Sequence, residues 1–162
     1  MGAAYFYHLT RDPLERTLPV LLDKALEAGW TCEVRGRTAE AMDRLDAQLW
    51  LWPEESFLPH ARAGGPRDEQ QPVLLTVAPQ SAPNGAHCLM SVEGADVSPA
   101  EVRAMARVCV LFDGADETAV QIARGQWARL VEAGCAAQYW SQESGRWQKM
   151  AERAGAESAP GS

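Results

Sequence analysis

Positive charge, long apolar runs and paired cysteines are all scarce in this chain. Fifteen Lys and Arg face 22 Asp and Glu over 162 residues, giving a formal charge of −7. Partners rich in phosphate are gripped by clustered cations, and the basic residues here are scattered, which disfavours a whole-domain hold on DNA. Only Lys24 and Lys149 are lysines, the other basic residues being arginines. Arginine suits forked binding of carboxylates, although codon usage in a GC-rich genome yields the same bias. The longest apolar stretches, Val73 to Ala78 and Val108 to Phe112, fall far short of the roughly 20 residues a membrane span needs. Met1 to Thr10 has no Lys or Arg ahead of an apolar run and no small-residue cleavage site, so a cytoplasmic protein is expected. Cys32, Cys88, Cys109 and Cys135 are widely separated. Without a C-x-x-C pair to start a tetrahedral site, they are expected to be buried reduced thiols, and no metal is expected.

Catalytic signatures are missing too. A phosphate cradle needs glycines between a strand and a helix, and neither GxGxxG nor GxxxxGK[ST] occurs. The first strand runs into His8-Leu9-Thr10-Arg11-Asp12. The strand ending at Phe112 runs into Asp113-Gly114-Ala115-Asp116, where two carboxylates flank the lone glycine and repel phosphate. GxSxG is absent. His60 could act as a general base, but no nucleophile stands at a recognisable spacing, so loop packing or a partner contact is its expected role.

What is present alternates between strand and helix. Ala4 to Leu9, Thr31 to Arg35, Val73 to Ala78, His87 to Val92, Val108 to Phe112 and Ala136 to Trp140 read as strands. The first helix is opened by Asp12 and Pro13 and closed at Gly29, with Pro19 predicting a kink or a late start. Thr38 caps a second helix whose Met42, Leu45 and Leu49 form one buried stripe. Ser98, Pro99 and Glu101 start a short third helix, and a fourth runs from Glu117 to Ala133, stopped by Gly134. Pro53 to Gln71 reads as loop. This order predicts an α/β fold with three layers, a mostly parallel sheet with helices on both faces. A single domain is expected over residues 1–150, with a small, polar, fraying tail from Ala151 to Ser162.

Two segments carry more aromatic and charged chemistry than a core requires. Leu49 to His60 (LWLWPEESFLPH) places Trp50, Trp52 and Phe57 around a proline-broken turn, so at least one aromatic is expected to be exposed as an interface anchor. The fourth helix has Ala119, Ile122, Ala123, Leu130 and Ala133 as its core stripe, and Val120, Arg124, Trp127 and Val131 along one flank. That flank suits the end of a peptide, with an apolar side chain on the tryptophan and valines and a carboxylate on the Arg124 fork. An amphipathic edge tryptophan beside a solvated arginine fits the same spacing equally well.

Six features taken together resemble the chi subunit of bacterial DNA polymerase III, a clamp-loader accessory protein. They are Tyr5-Phe6-Tyr7, Arg44 to Trp50 (RLDAQLW), Glu55 to His60 (ESFLPH), the proline-bounded strand after Gln71, Ala123 to Trp127 (ARGQW), and a closing Tyr139-Trp140 with Gly145-Arg146-Trp147. The resemblance implies a Rossmann-like fold without a nucleotide site, no catalysis and no cofactor. It implies two protein partners and only indirect contact with DNA. One partner is the acidic C-terminal tail of single-stranded DNA-binding protein; the other, met through a separate face, is the psi subunit of the clamp loader or its equivalent. By position, Arg124 and Trp127 are the tail-binding residues, with Val120 beside them and Trp127 standing where other members have tyrosine. Trp50, Phe57 and Trp52 fall on the psi face. Val120 and Ala128 replace lysines of some members, and Arg129 is the residue expected to compensate.

Two other readings stay open at this stage. One is a small α/β enzyme with an unrecognised nucleotide or hydrolase site, which a deep polar pocket at the C-terminal strand edges would support. The other is single-stranded DNA stacked on Trp50 or Trp52, which the acidic balance disfavours.

Overall fold

The computed structural model describes residues 2–10, 12–51, 60–66, 68–78, 84–142 and 146–154. Along them run β1 (Ala3–Leu9), α1 (Leu14–Glu27), β2 (Cys32–Gly36), α2 (Ala39–Leu51), β3 (Ala61–Arg62), β4 (Val73–Val77), β5 (Cys88–Ser91), α3 (Pro99–Ala104), β6 (Arg107–Asp113), α4 (Glu117–Glu132), β7 (Ala136–Ser141) and β8 (Gln148–Arg153). The strands form one sheet in the order β3-β4-β2-β5-β6-β1-β7-β8. Every neighbouring pair is parallel except β7 with β8.

Side chains alternate across each strand, and that alternation sorts the core into two layers. Tyr7 and Leu9 of β1 and Cys109 and Leu111 of β6 pack with Leu18 and Leu22 of α1 and Met42 and Leu45 of α2. Ala4 and Phe6 of β1 and Val108, Val110 and Phe112 of β6 pack with Val102 of α3 and Ala123 and Leu130 of α4. Helices therefore cover both faces, as the sequence pattern predicts. The unbroken apolar run of β6 is explained by its place inside the sheet, between β5 and β1.

Local capping chemistry sets most helix ends. The Thr38 hydroxyl accepts from the Ala41 N–H at 3.2 Å, Ser98 and Glu101 form a complete capping box, and Asp116 accepts from the N–H groups of Thr118 and Ala119. Gly134 follows α4 at φ 86°, a left-handed conformation that glycine adopts without steric cost. The first helix differs from its expected start. Pro13 rather than Asp12 holds the N-cap position, without a side-chain cap; the Asp12 carboxylate instead accepts from Gln142 Nε2 at 3.4 Å, and its N–H donates to Gln142 Oε1 at 3.0 Å. The helix does not start late at Pro19, which lies buried within it. The carbonyl that Pro19 leaves free is that of Glu15, in the first turn.

The expected fraying tail also needs correction. Ala151 to Arg153 belong to β8, which pairs antiparallel with β7, and residues 155–162 lie outside the described ones. An edge strand as polar as QKMAER has no apolar alternation to announce it.

All four cysteines are free and buried. Hydrogen bonding to Cys88 and burial push the Cys32 and Cys109 thiols up, and the same hydrogen bonds lower Cys88, the three being linked inside the core. Among the described residues, no helix is long and apolar enough to cross a membrane, and no group of side chains is arranged to hold a metal ion.

Candidate functional site

α4 lies over β6 and β7 on an aromatic bed. Phe6 and His8 are two residues apart on β1, so both point toward α4; in register, Phe6 lies beside Tyr139 of β7 and His8 beside Phe112 of β6. The Trp127 ring meets Phe6 edge-on at 5.4 Å and Tyr139 at 6.0 Å. Farther along β1, His8 stacks on Phe112 at 5.2 Å, and its Nδ1 lies 3.2 Å from the Tyr139 hydroxyl. Gly114 allows this closure, because a Cβ there would stand 2.1 Å from His8 Nε2.

Val120 and Val131 pack against the same layer on either side of Trp127. Arg124, one turn from both Val120 and Trp127, is exposed and makes no ion pair among the described residues. The flank read from helical spacing is therefore assembled as expected, with one exception. Arg129 lies on the opposite side of α4 from Val120, as a repeat of about 3.6 residues per turn requires, and its guanidinium pairs with Asp96.

The second predicted surface sits on the other face of the sheet. Trp50, at the end of α2, is 53 % exposed, the most open aromatic among the described residues. Its ring lies 4.4 Å from that of His60. His60 is buried, with Nε2 3.0 Å from Asp46 Oδ1, which fits a packing role. Trp52 and Phe57 lie outside the described residues.

A crevice of about 680 Å³ opens beyond the C-terminal ends of β1, β5 and β6. Open α/β sheets bind nucleotides in such crevices, at helix N-termini that offer free N–H groups. At α2 and α4 those groups are answered from within the chain. Glu93 accepts from the N–H groups of Arg37 at 2.7 Å and Thr38 at 3.1 Å and from the Thr38 hydroxyl at 2.9 Å, at the start of α2. Asp116 does the same at the start of α4. A phosphate arriving at either helix would have to displace a carboxylate.

Sequence reasoning missed His8 and Glu93. Alternation along Ala4 to Leu9 could have placed His8 beside Phe6, whereas nothing local connects Glu93 to Thr38.

The molecule is thus a Rossmann-like α/β domain, with carboxylates capping the starts of α2 and α4 beside its crevice. Residues 1–138 match the model of the family described as DNA polymerase III chi subunit, HolC, and the chain belongs to that family. It is accordingly an accessory subunit of a replicative DNA polymerase, a role exercised among protein partners. The match ends before Tyr139, so the closing aromatic pattern lies outside it. No curated protein matches the chain.

Proposed function

We propose that this subunit binds the acidic C-terminal tail of single-stranded DNA-binding protein on the flank of α4 and links it to the clamp loader through the Trp50 end of α2. The carrying observation is Arg124: in a chain of formal charge −7, this exposed cation has no ion-pair partner among the described residues and stands one turn from a tryptophan fixed by Phe6 and Tyr139. The terminal apolar ring of the tail rests on Trp127 and Val120, and its carboxylate takes the Arg124 fork. With Val120 and Ala128 neutral, recognition leans on the last residue of the tail more than on the acidic residues before it, and its salt dependence is correspondingly shallow.

Trp50, with Trp52 and Phe57 on the adjoining segment, serves the psi subunit or its equivalent. An exposed aromatic of this kind is a common anchor for a partner. The protein acts in the cytoplasm as a single domain and catalyses nothing. The carboxylates at the starts of α2 and α4 support this over an enzyme with a nucleotide in the crevice.

Titration with a short acidic peptide ending in Pro-Phe tests the tail site. Arg124→Ala, or amidation of the peptide's terminal carboxylate, is expected to weaken binding about tenfold or more, the loss of a charge-assisted hydrogen bond. Binding left unchanged by both would overturn the assignment.

A further inference from the structure

A second cavity, of about 530 Å³, runs along α1 on the face of the sheet away from α4. Its size falls within the roughly 300–1,000 Å³ typical of small-ligand sites. Its chemistry is the reverse of the carboxyl-edge crevice. Arg16 and Lys24 of α1 and Arg107 of β6 line it, and Asp12 is the sole carboxylate among its described lining residues. None of the three cations makes an ion pair among the described residues.

Aromatic rings accompany them. Trp30, Trp140 and Trp147 line the cavity, and Trp147 is held edge-on against Tyr7 at 5.3 Å. The Arg107 guanidinium lies 4.2 Å from the centre of the Tyr5 ring and 5.3 Å from that of Trp30, so its plane is fixed without a carboxylate to neutralise it. Arg16, Val20 and Lys24 follow at intervals of four, placing two cations along one lip of the cleft.

We infer that this cleft binds a nucleotide, stacking the base on its tryptophans and holding the phosphate between Arg16, Lys24 and Arg107. Flat rings next to unpaired cations are the combination that recognises a base joined to a phosphate. A peptide carboxylate would use the cations but not the tryptophans that line the cleft beside them. The base and phosphate could come from a free nucleotide or from the end of a single strand, and both present the same chemistry to the cleft.

Titration calorimetry of the full chain at low salt with thymidine 5′-monophosphate, thymidine and an oligothymidylate tests this. The monophosphate is expected to bind at least about tenfold more tightly than thymidine, since only it engages the cations. Arg16→Glu with Lys24→Glu, both exposed on α1, is expected to weaken nucleotide binding about tenfold or more and to leave acidic-peptide binding at Arg124 unchanged. An oligothymidylate that outcompetes the monophosphate identifies a single strand as the source, and equal affinity per site identifies the free nucleotide. Absence of binding by both phosphate-bearing probes at millimolar concentration, or binding undiminished in the double variant, overturns the proposal.

Discussion

Two arginines on the same side of the sheet meet opposite fates. Arg35 of β2 is enclosed: Nε donates to Glu33 Oε2 at 3.0 Å, Nη2 to Glu101 Oε2 at 2.6 Å and Nη1 to the Asp96 carbonyl at 3.0 Å. Thr76 of β4 adds its hydroxyl to Glu33 Oε2 at 2.8 Å. This network ties β2, β4 and α3 together, and every donor in it spends itself inside the molecule. Arg124 of α4 has an aromatic bed beside it and no such partner among the described residues. The contrast teaches that a polar side chain builds the fold where its partners come from the same chain, and is open to recognise another molecule where they do not.

The sharpest break in that comparison is at Arg35. Arg35→Met leaves Glu33, only 2 % exposed, as a buried charge without its counter-ion, and is expected to cost about 3–5 kcal/mol of stability in a denaturant titration. Trp127→Ala should act on both sides of the comparison. It strips the Phe6 and Tyr139 contacts, costing about 2–3 kcal/mol for a half-buried ring, and it abolishes binding of the acidic peptide, while Trp127→Phe restores most of the stability.

Arg124→Ala is the complementary case. Its unfolding free energy should stay within about 0.5 kcal/mol of the parent, as for a surface side chain without packing duties, although peptide binding falls. A change in stability as large as that at Arg35 would erase the distinction between the two arginines.

Acid provides a milder probe of the enclosed network. Burial works to raise the Glu101 carboxyl, and the Arg35 guanidinium with the Ser98 N–H outweighs it, leaving Glu101 below its usual 4.5. A carboxyl lowered in the folded state stabilises the fold above its unfolded value and loses that contribution as pH falls through the folded one. Stability should therefore decline on acidification below about pH 4.5, and less steeply in Glu101→Gln. The smallest effect is expected from Arg129→Ala. This residue shares an exposed pair with Asp96 on the far side of α4, so peptide binding should stay within experimental error and stability within about 1 kcal/mol.

Much of the fold was legible because it rests on local periodicity and capping. The apolar runs of β4 and β6, the stripe of Met42, Leu45 and Leu49, and the capping box at Ser98 all express interactions a few residues long. β3 and β8 were not legible, being respectively two residues long and polar. The site was legible in part. Spacing alone grouped Val120, Arg124 and Trp127, and the same spacing puts Arg129 on the other side of α4.

By itself the sequence determined the order of the four helices and of the six apolar strands, the two-faced core and the flank of α4, since each follows from repeats of two or about 3.6 residues. Only the tertiary structure decided which charges are answered. Glu93 reaches Thr38 across 55 residues of chain, Arg35 reaches Glu101 across 66, and the bed under Trp127 brings His8 to Tyr139 across 131. Contacts at such separations depend on how the strands are ordered in the sheet, and no local pattern encodes that order.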